Sequence, residues 1–217
     1  MSNLQIEKLF THIYDNDLWN MGQSDSKSGL GSSSDFTKHI QLILLETIKK
    51  YNIRNMIDTS CGDLFWMKTI LPFIECEYLG IDIVKNVIET NKSVTKSIDN
   101  NHVIEFRHGD FLEYLQTLPD HSIDLILCRH TCEHLPTEHV LQFINEAKRV
   151  SKYLLLTTHK HATINREVEL SQTPYRPINL NLLPYSDILN PYQIDSLYDG
   201  PMSHVRAEMF INLYEFY

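Results

Sequence analysis

Between residues 55 and 158 the chain repeats one unit: a short, nearly unbroken apolar run, then a stretch with apolar residues at helical spacing. The runs are Asn-Met-Ile-Asp-Thr at 55–59, Tyr-Leu-Gly-Ile-Asp at 78–82, His-Val-Ile-Glu-Phe at 102–106, Ser-Ile-Asp-Leu-Ile-Leu-Cys at 122–128 and Tyr-Leu-Leu-Leu-Thr at 153–157. Between them, residues 64–71 read as a helix stopped by Pro72, and 84–98 carry Val84, Val87, Ile88, Val94 and Ile98 on one side. A further helix starts at Pro136–Thr137 and shows Val140, Phe143, Ile144 and Ala147. A strand covered on both faces has no polar side to alternate with. Continuous runs between amphipathic helices therefore mean an α/β, doubly wound, mostly parallel sheet with helices on both faces.

The flanks extend this core without dividing it. Phe36, Ile40, Ile43, Leu44 and Thr47 predict a preceding helix capped by Ser33 or Ser34. Ile6, Phe10 and Ile13 predict an earlier, shorter one. Residues 15–34, rich in Ser, Gly and Asp, are too polar to bury. They read either as a surface loop or as a lid over a ligand. Trp19, isolated in so polar a stretch, favours the lid, with Gly29 or Gly31 allowing close approach. After the core come an irregular segment at 159–191 and candidate strands at 193–198 and 205–214. One domain over residues 1–217 is expected: helix and lid (1–34), ligand-binding core (35–158), then an acceptor-binding segment and final strands (159–217).

Composition narrows the partners. The 217 residues are 42% hydrophobic, enough for a core, and Lys plus Arg number 19 against 28 Asp plus Glu. The densest basic pairs, Lys49-Lys50 and Lys148-Arg149, fall at predicted helix ends, where cations offset the helix dipole. No patch is left to neutralise phosphates, so no nucleic-acid partner is expected. No run approaches the roughly 18 apolar residues of a membrane span. The first ten residues carry charges and no apolar leader core, so a cytoplasmic protein with reduced Cys61, Cys76, Cys128 and Cys132 is expected. The Cys128-x3-Cys132 pair lacks a second pair, and His159 and His161 with His130 match no metal template, so no metal is expected.

The chemistry gathers at strand ends. The first strand runs into Asp58-Thr-Ser-Cys-Gly-Asp63 and the second ends at Asp82. In a doubly wound sheet the first turn meets the cofactor, and an acid ending the second strand accepts ribose hydroxyls. Gly62 lets the backbone approach a ligand closely. A dinucleotide site needs G-x-G-x-x-G to seat a pyrophosphate on a helix N-terminus. Here one Gly lies between carboxylates that would repel it. A ligand with an ammonium and a ribose but no phosphate fits, and S-adenosylmethionine is such a ligand. After the third strand, Gly109-Asp110-Phe111 offers Asp110 to an adenine amino group and Phe111 to the ring. Ser60, Cys61, Ile83, Arg129, Trp19 and Gly29 complete the expected cofactor set.

These residues resemble the class I S-adenosylmethionine-dependent methyltransferases over roughly residues 35–160. A narrower likeness is carried by Asp17-Leu-Trp-Asn-Met-Gly22 with Ser28-Gly-Leu-Gly-Ser32, by Cys61-Gly-Asp-Leu-Phe-Trp-Met67, and by Tyr175-Arg-Pro-Ile-Asn-Leu180. It points to methyltransferase-domain proteins common among genes for capsule and surface glycans. The resemblance implies a Rossmann-like sheet of seven strands with an antiparallel C-terminal edge hairpin. It also implies Asp58, Cys61 and Gly62 at the methionine end, Asp82 at the ribose and Asp110 at the adenine. Two departures stand out: Thr59-Ser60-Cys61-Gly62 replaces a run of spaced glycines, and His130 stands where the narrower group more often has an acid.

The expected activity is methyl transfer from S-adenosylmethionine, leaving S-adenosylhomocysteine, to a small-molecule or glycan acceptor, chiefly a sugar hydroxyl. A base is needed, and histidine is the side chain titrating near neutrality. His134 is favoured over His130, with His159 next and Glu133 facing solvent or orienting a neighbour. His159, Arg166, Tyr175, Arg176 and Asn179 are expected to form the acceptor wall. An amine or phosphate-linked acceptor, or cofactor binding without turnover, stay open. A monomer or homodimer is expected.

Overall fold

A computed structural model describes residues 3–20, 24–98, 101–169, 171–201 and 208–217. Residues 21–22 of the lid motif and 205–207 of the expected last strand lie outside these. The strands are β1 (Asn55–Thr59), β2 (Glu77–Asp82), β3 (Ile104–His108), β4 (Ile123–Cys128), β5 (Ser151–Thr158), β6 (Gln193–Pro201) and β7 (Glu208–Glu215). They form one seven-stranded sheet in the order β3-β2-β1-β4-β5-β7-β6. Pairings among β1 to β5 are parallel, while β7 runs antiparallel to β5 and to β6.

The sheet has the expected form for a physical reason visible in its burial. β4 is buried over its last four residues and β5 over nearly its whole length, since both lie inside the sheet beneath helices. The edge strand β3 buries only Phe106. Alternate residues divide between two cores. Met56, Leu125, Leu127 and Leu155 face one layer with Ile40 and Leu44. Ile57, Ile126, Leu154 and Leu156 face the other with Phe143 and Ile144. The helices are α1 (Asn3–Asp15), α2 (Lys38–Tyr51), α3 (Met67–Ile70), α4 (Lys85–Val94), α5 (Phe111–Thr117), α6 (Thr137–Val150) and α7 (Ser186–Leu189).

Several boundaries differ from the sequence expectation. α2 begins at Lys38 after Thr37, which makes no side-chain cap bond, so the expected cap at Ser33 or Ser34 is not formed. Instead the Thr37 hydroxyl donates to the Ser33 carbonyl at 2.9 Å. The helix expected at 64–71 shrinks to one turn, because Leu64 sits at φ 54 and Pro72 imposes a 3-10 turn at Leu71–Phe73. α4 stops at Val94, short of Ile98. The unexpected α5 is started by Asp110, whose carboxylate accepts from the Leu112 and Glu113 amides. Asp110-x-x-Glu113 carries the spacing of a capping box, the signal that could have found it.

The segment after β5 is held by its own polar side chains. Asn165 Oδ1 accepts from the Asn179 amide at 2.8 Å, and Asn179 Nδ2 donates to the Ala162 carbonyl at 2.8 Å. Ile178, Leu180 and Tyr185 then pack fully buried into the α6-side core. At the end of β4, Arg129 donates to Asp199 on β6 at 2.9 Å, with the two side chains 4% and 0% exposed. Its remaining N–H groups reach the Gly31 and Phe36 carbonyls at 2.9 and 3.3 Å. Removing one partner of such a pair leaves a bare buried charge. Asp199→Ala is therefore expected to destabilise the chain by about 3–5 kcal/mol in denaturant unfolding. A loss under about 1 kcal/mol would show that water can replace the carboxylate.

Candidate active site

Strand order reverses between β1 and β4, and a crevice opens at their C-terminal ends, where such sheets bind ligands. It holds a cavity of about 500 Å³, floored by the ends of β1, β2 and β4 and roofed by α1, Leu18, Trp19 and residues 28–32. Register brings the carboxylates to one rim: Asp58 pairs with Gly80 on β2 and Leu127 on β4, and Asp82 pairs with His108 on β3.

The turn after β1 does the work of a glycine-rich loop with one glycine. Ser60, Gly62 and Leu64 all take left-handed φ, at 63, 58 and 54°. The Cys61 amide donates to the Ile81 carbonyl at 2.8 Å, and Asn91 Nδ2 donates to the Gly62 carbonyl at 2.7 Å. A Cβ at Gly62 would lie 2.5 Å from Ser28 Oγ, so only glycine lets the lid seat on the turn. Asp82 accepts from the Gly62 amide at 3.0 Å and the Val84 amide at 2.9 Å. Asp58 accepts from the Tyr78 hydroxyl at 2.8 Å. Burial pushes both acids up, Asp58 to about 7 and Asp82 to about 6. Asp58, Ser60, Cys61, Gly62, Asp82, Ile83, Asp110 and Phe111, singled out in the sequence, all line the cavity. Tyr78 and Asn91, which support two of them, were not singled out, since nothing local marks them.

The lid is tied down by Asp63. Its carboxylate accepts from the Ser26 hydroxyl, the Lys27 amide at 2.8 Å and the Ser28 hydroxyl at 3.1 Å. The Ser28 hydroxyl also pairs with the Tyr14 hydroxyl at 2.8 Å. Asp63 thus fastens the segment as well as adding negative charge to the turn. Gly29, at φ 89°, lies against Trp19, and a Cβ at Gly31 would lie 3.3 Å from the His130 ring. Trp19 lines the cavity with its ring 5.1 Å from that of His134 and 5.7 Å from Phe10 and Tyr14. Arg129, expected to touch cofactor, borders the cavity but has its guanidinium committed to Asp199, Gly31 and Phe36, so it acts as a tether.

Histidines fill the far side. His130, at φ 55°, places Nδ1 2.7 Å from a Glu133 carboxylate oxygen. Glu133 is 2% exposed and orients this neighbour; it does not face solvent. Burial alone would raise its carboxyl, but His130, with His134 and His159, overrides this and holds it well below the usual range. His134 lies 2.6 Å by Nδ1 from the Pro174 carbonyl, which can only accept. The ring proton therefore sits on Nδ1 and Nε2 keeps its lone pair. Desolvation lowers the His134 pKa below the ordinary 6.5. Both His130 and His134 line the cavity.

The expected acceptor wall is only partly present. Tyr175 lines the cavity, whereas His159, Arg166, Arg176 and Asn179 lie outside its lining. Arg176 is 4% exposed and donates to Glu167, Thr137 and Tyr185. Asn179 pins the loop described above, and Arg166 is exposed on the surface. These polar side chains satisfy the backbone of an irregular segment, a need that composition does not distinguish from ligand binding. His159 stands behind His130, its Nε2 3.4 Å from the Tyr175 hydroxyl, with burial pushing it down to about 4. Apolar lining from Phe10, Leu30, Phe36, Trp66 and Met209 was not expected. The apolar face of α1 was a readable signal for the first of these.

Residues 57–153 match the family model described as "Methyltransferase domain". No curated protein matches the chain in sequence. Among solved structures, the Burkholderia thailandensis 1,6-didemethyltoxoflavin-N1-methyltransferase, with bound 1,6-didemethyltoxoflavin and S-adenosylhomocysteine, superposes with TM-score 0.71 at 9% identity. The match covers 99% of this chain and 90% of that one. A SAM-dependent methyltransferase from Archaeoglobus fulgidus gives 0.55 at 14% identity, over 81% and 94%. The [4+2]-cyclase SpnF gives 0.65 at 12%, over 92% and 76%. Residues 57–153 thus match a methyltransferase domain, and the sheet as a whole has the fold of these S-adenosylmethionine-dependent methyltransferase structures.

If Asp63 fastens the lid, Asp63→Ala should speed hydrogen exchange of the Lys27 and Ser28 amides at least tenfold. Exchange in β4 and β5 should stay unchanged. Equal protection in both proteins would show that the lid is held by its apolar contacts alone.

Proposed function

We propose that the protein moves the methyl group of S-adenosylmethionine to a hydroxyl of a small acceptor, a sugar or glycan precursor, with His134 as the base. The observation that carries this is the His134 ring, which lines the cavity with its Nδ1–H held by the Pro174 carbonyl, so that the lone pair is on Nε2. The cofactor's ammonium suits Asp58 and its ribose suits Asp82, while the single-glycine turn leaves a pyrophosphate no seat. The acceptor oxygen attacks the methyl carbon in line, the carbon–sulfur bond breaks, and the sulfonium becomes a neutral thioether. His134 Nε2 takes the hydroxyl proton. The rest of the protein's share is alignment at short range. Polar groups on the acceptor side, Tyr175, His130 and Glu133, suit a hydroxylated acceptor. That many structures of this fold, including a cyclase by name, differ in reaction means that the acceptor must be sought by assay.

Two measurements test this. Release of S-adenosylhomocysteine on incubation with S-adenosylmethionine and a panel of sugars and nucleotide sugars is expected, and none with any hydroxyl acceptor would overturn the reading. His134→Ala should cost about 10²–10⁴ in kcat with cofactor affinity unchanged. Because the His134 pKa is lowered, the acidic limb of kcat at saturating cofactor should lie below pH 6.5 and vanish in His134→Ala.

Cofactor affinity should also depend on pH. Asp58 near 7 is protonated below that value and must lose its proton to pair with an ammonium. Binding of S-adenosylhomocysteine should therefore weaken about tenfold between pH 8 and 6, one pKa unit being one decade. Asp58→Asn should flatten this dependence and, at pH 8, weaken binding by about 1.5–3 kcal/mol. A wild-type affinity that is flat with pH would place the ammonium elsewhere.

A further inference from the structure

We propose that His130, Glu133 and His159 form a site for one divalent transition-metal ion, placed to ligate the acceptor's hydroxyl oxygen. One ligand atom from each lies within 4.8 Å of the others. His130 and Glu133 stand three residues apart in the loop between β4 and α6, and His159 joins them from the end of β5, the neighbouring strand. The spacing of 159 and 161 suggested a different pair; the fold substitutes Glu133 for His161.

The geometry has the marks of a ligand set. With zinc bonds of about 2.0–2.1 Å in a tetrahedron, neighbouring ligand atoms stand about 3.3 Å apart. The hydrogen bond of 2.7 Å between His130 Nδ1 and the Glu133 carboxylate would widen by about 0.6 Å to admit an ion. His159 Nδ1 faces the Ile178 backbone, 3.3 Å from its carbonyl oxygen and 3.2 Å from its amide nitrogen, and Nε2, 3.4 Å from the Tyr175 hydroxyl, would exchange that contact for an ion. A backbone carbonyl on the other ring nitrogen is the usual support of a metal-bound imidazole. Two imidazoles and one carboxylate suit zinc and its first-row neighbours, and three protein ligands leave positions open for substrate, as in catalytic zinc sites. His130 and Glu133 line the cavity beside His134 while His159 stands behind them, so an ion held by the three would sit in the cavity wall. A hydroxyl bound there would have its pKa lowered, and would lie next to the proposed base.

The role assigned to the ion rests on the methyl-transfer reading, but its binding does not, so the test reads the metal alone. Zn²⁺ is titrated by calorimetry into the full chain after chelator treatment, without cofactor or acceptor. One equivalent with micromolar or tighter affinity is expected. Glu133→Gln and His159→Gln should each weaken it at least 100-fold. Retained S-adenosylhomocysteine binding reports that each variant is folded, and it is that titration, not the zinc one, which fails if the methyltransferase reading is wrong. Co²⁺ in place of Zn²⁺ should give a visible spectrum without a thiolate charge-transfer band. The proposal is overturned if the wild type takes up no zinc or if uptake survives both substitutions. It is equally overturned by a thiolate band, which would assign the ion to the buried pair Cys128 and Cys132, whose sulfurs lie 3.6 Å apart.

Discussion

A guanidinium cannot leave water unless its N–H groups find acceptors, and Arg129 is taken almost wholly out of water at the end of β4. The acceptors it finds define the site. Asp199 draws the distal strand β6 towards the centre of the sheet, and the Gly31 and Phe36 carbonyls hold both ends of the segment leading into α2. The stretch from Gly31 to Phe36 is therefore placed by a charge in the sheet, while Ser26, Lys27 and Ser28 are placed by Asp63 in the β1 loop. Two anchors, one cationic and one anionic, hold a polar segment that has little apolar surface to hold itself. The cavity beneath is bounded by fixed walls for this reason.

Inside that boundary the electrostatics run one way. Asp58 and Asp82 are buried within one cavity, and the cost of desolvation shows as acids that hold their protons to about 7 and about 6. The Tyr78 hydroxyl and two backbone amides offset part of that cost, and a cationic ligand supplies the rest. Such a site selects charge before shape. It disfavours a phosphate and favours an ammonium or a sulfonium. The one glycine of the turn stands where Ser28 seats against it, 2.5 Å from where a Cβ would lie.

Most of the sheet was legible because burial on both faces leaves an unbroken apolar run, and β1, β2, β4 and β5 are such runs. What was not legible had local causes. Leu64 takes a left-handed backbone that its side chain does not announce, so a helix was expected three residues too early. The carboxylates at strand ends were readable because topology fixes where strand ends go. Arg176 and Asn179 were misassigned because a long irregular segment must satisfy its own backbone, and side chains that do so look like side chains waiting for a ligand. His159 reached the right neighbourhood but the layer behind the wall, a distinction only packing makes.

The fold itself is shared with proteins whose names describe different reactions, so the specific chemistry has to lie in what this chain adds at the ends of β4 and β5. What it adds is an anion with three imidazoles around it. Glu133 is buried and kept ionised, which in a site of low polarity is tenable only if positive charge stands beside it. His134 and His159 are both biased towards neutrality by burial, and His134 has its one proton fixed on a backbone carbonyl. His130 Nδ1 stands 2.7 Å from the carboxylate, and the His134 ring, its proton held by the Pro174 carbonyl, lines the same cavity. The far side of the cavity thus offers an anion at Glu133 and, beside it, an imidazole nitrogen with a lone pair, a combination suited to moving a proton.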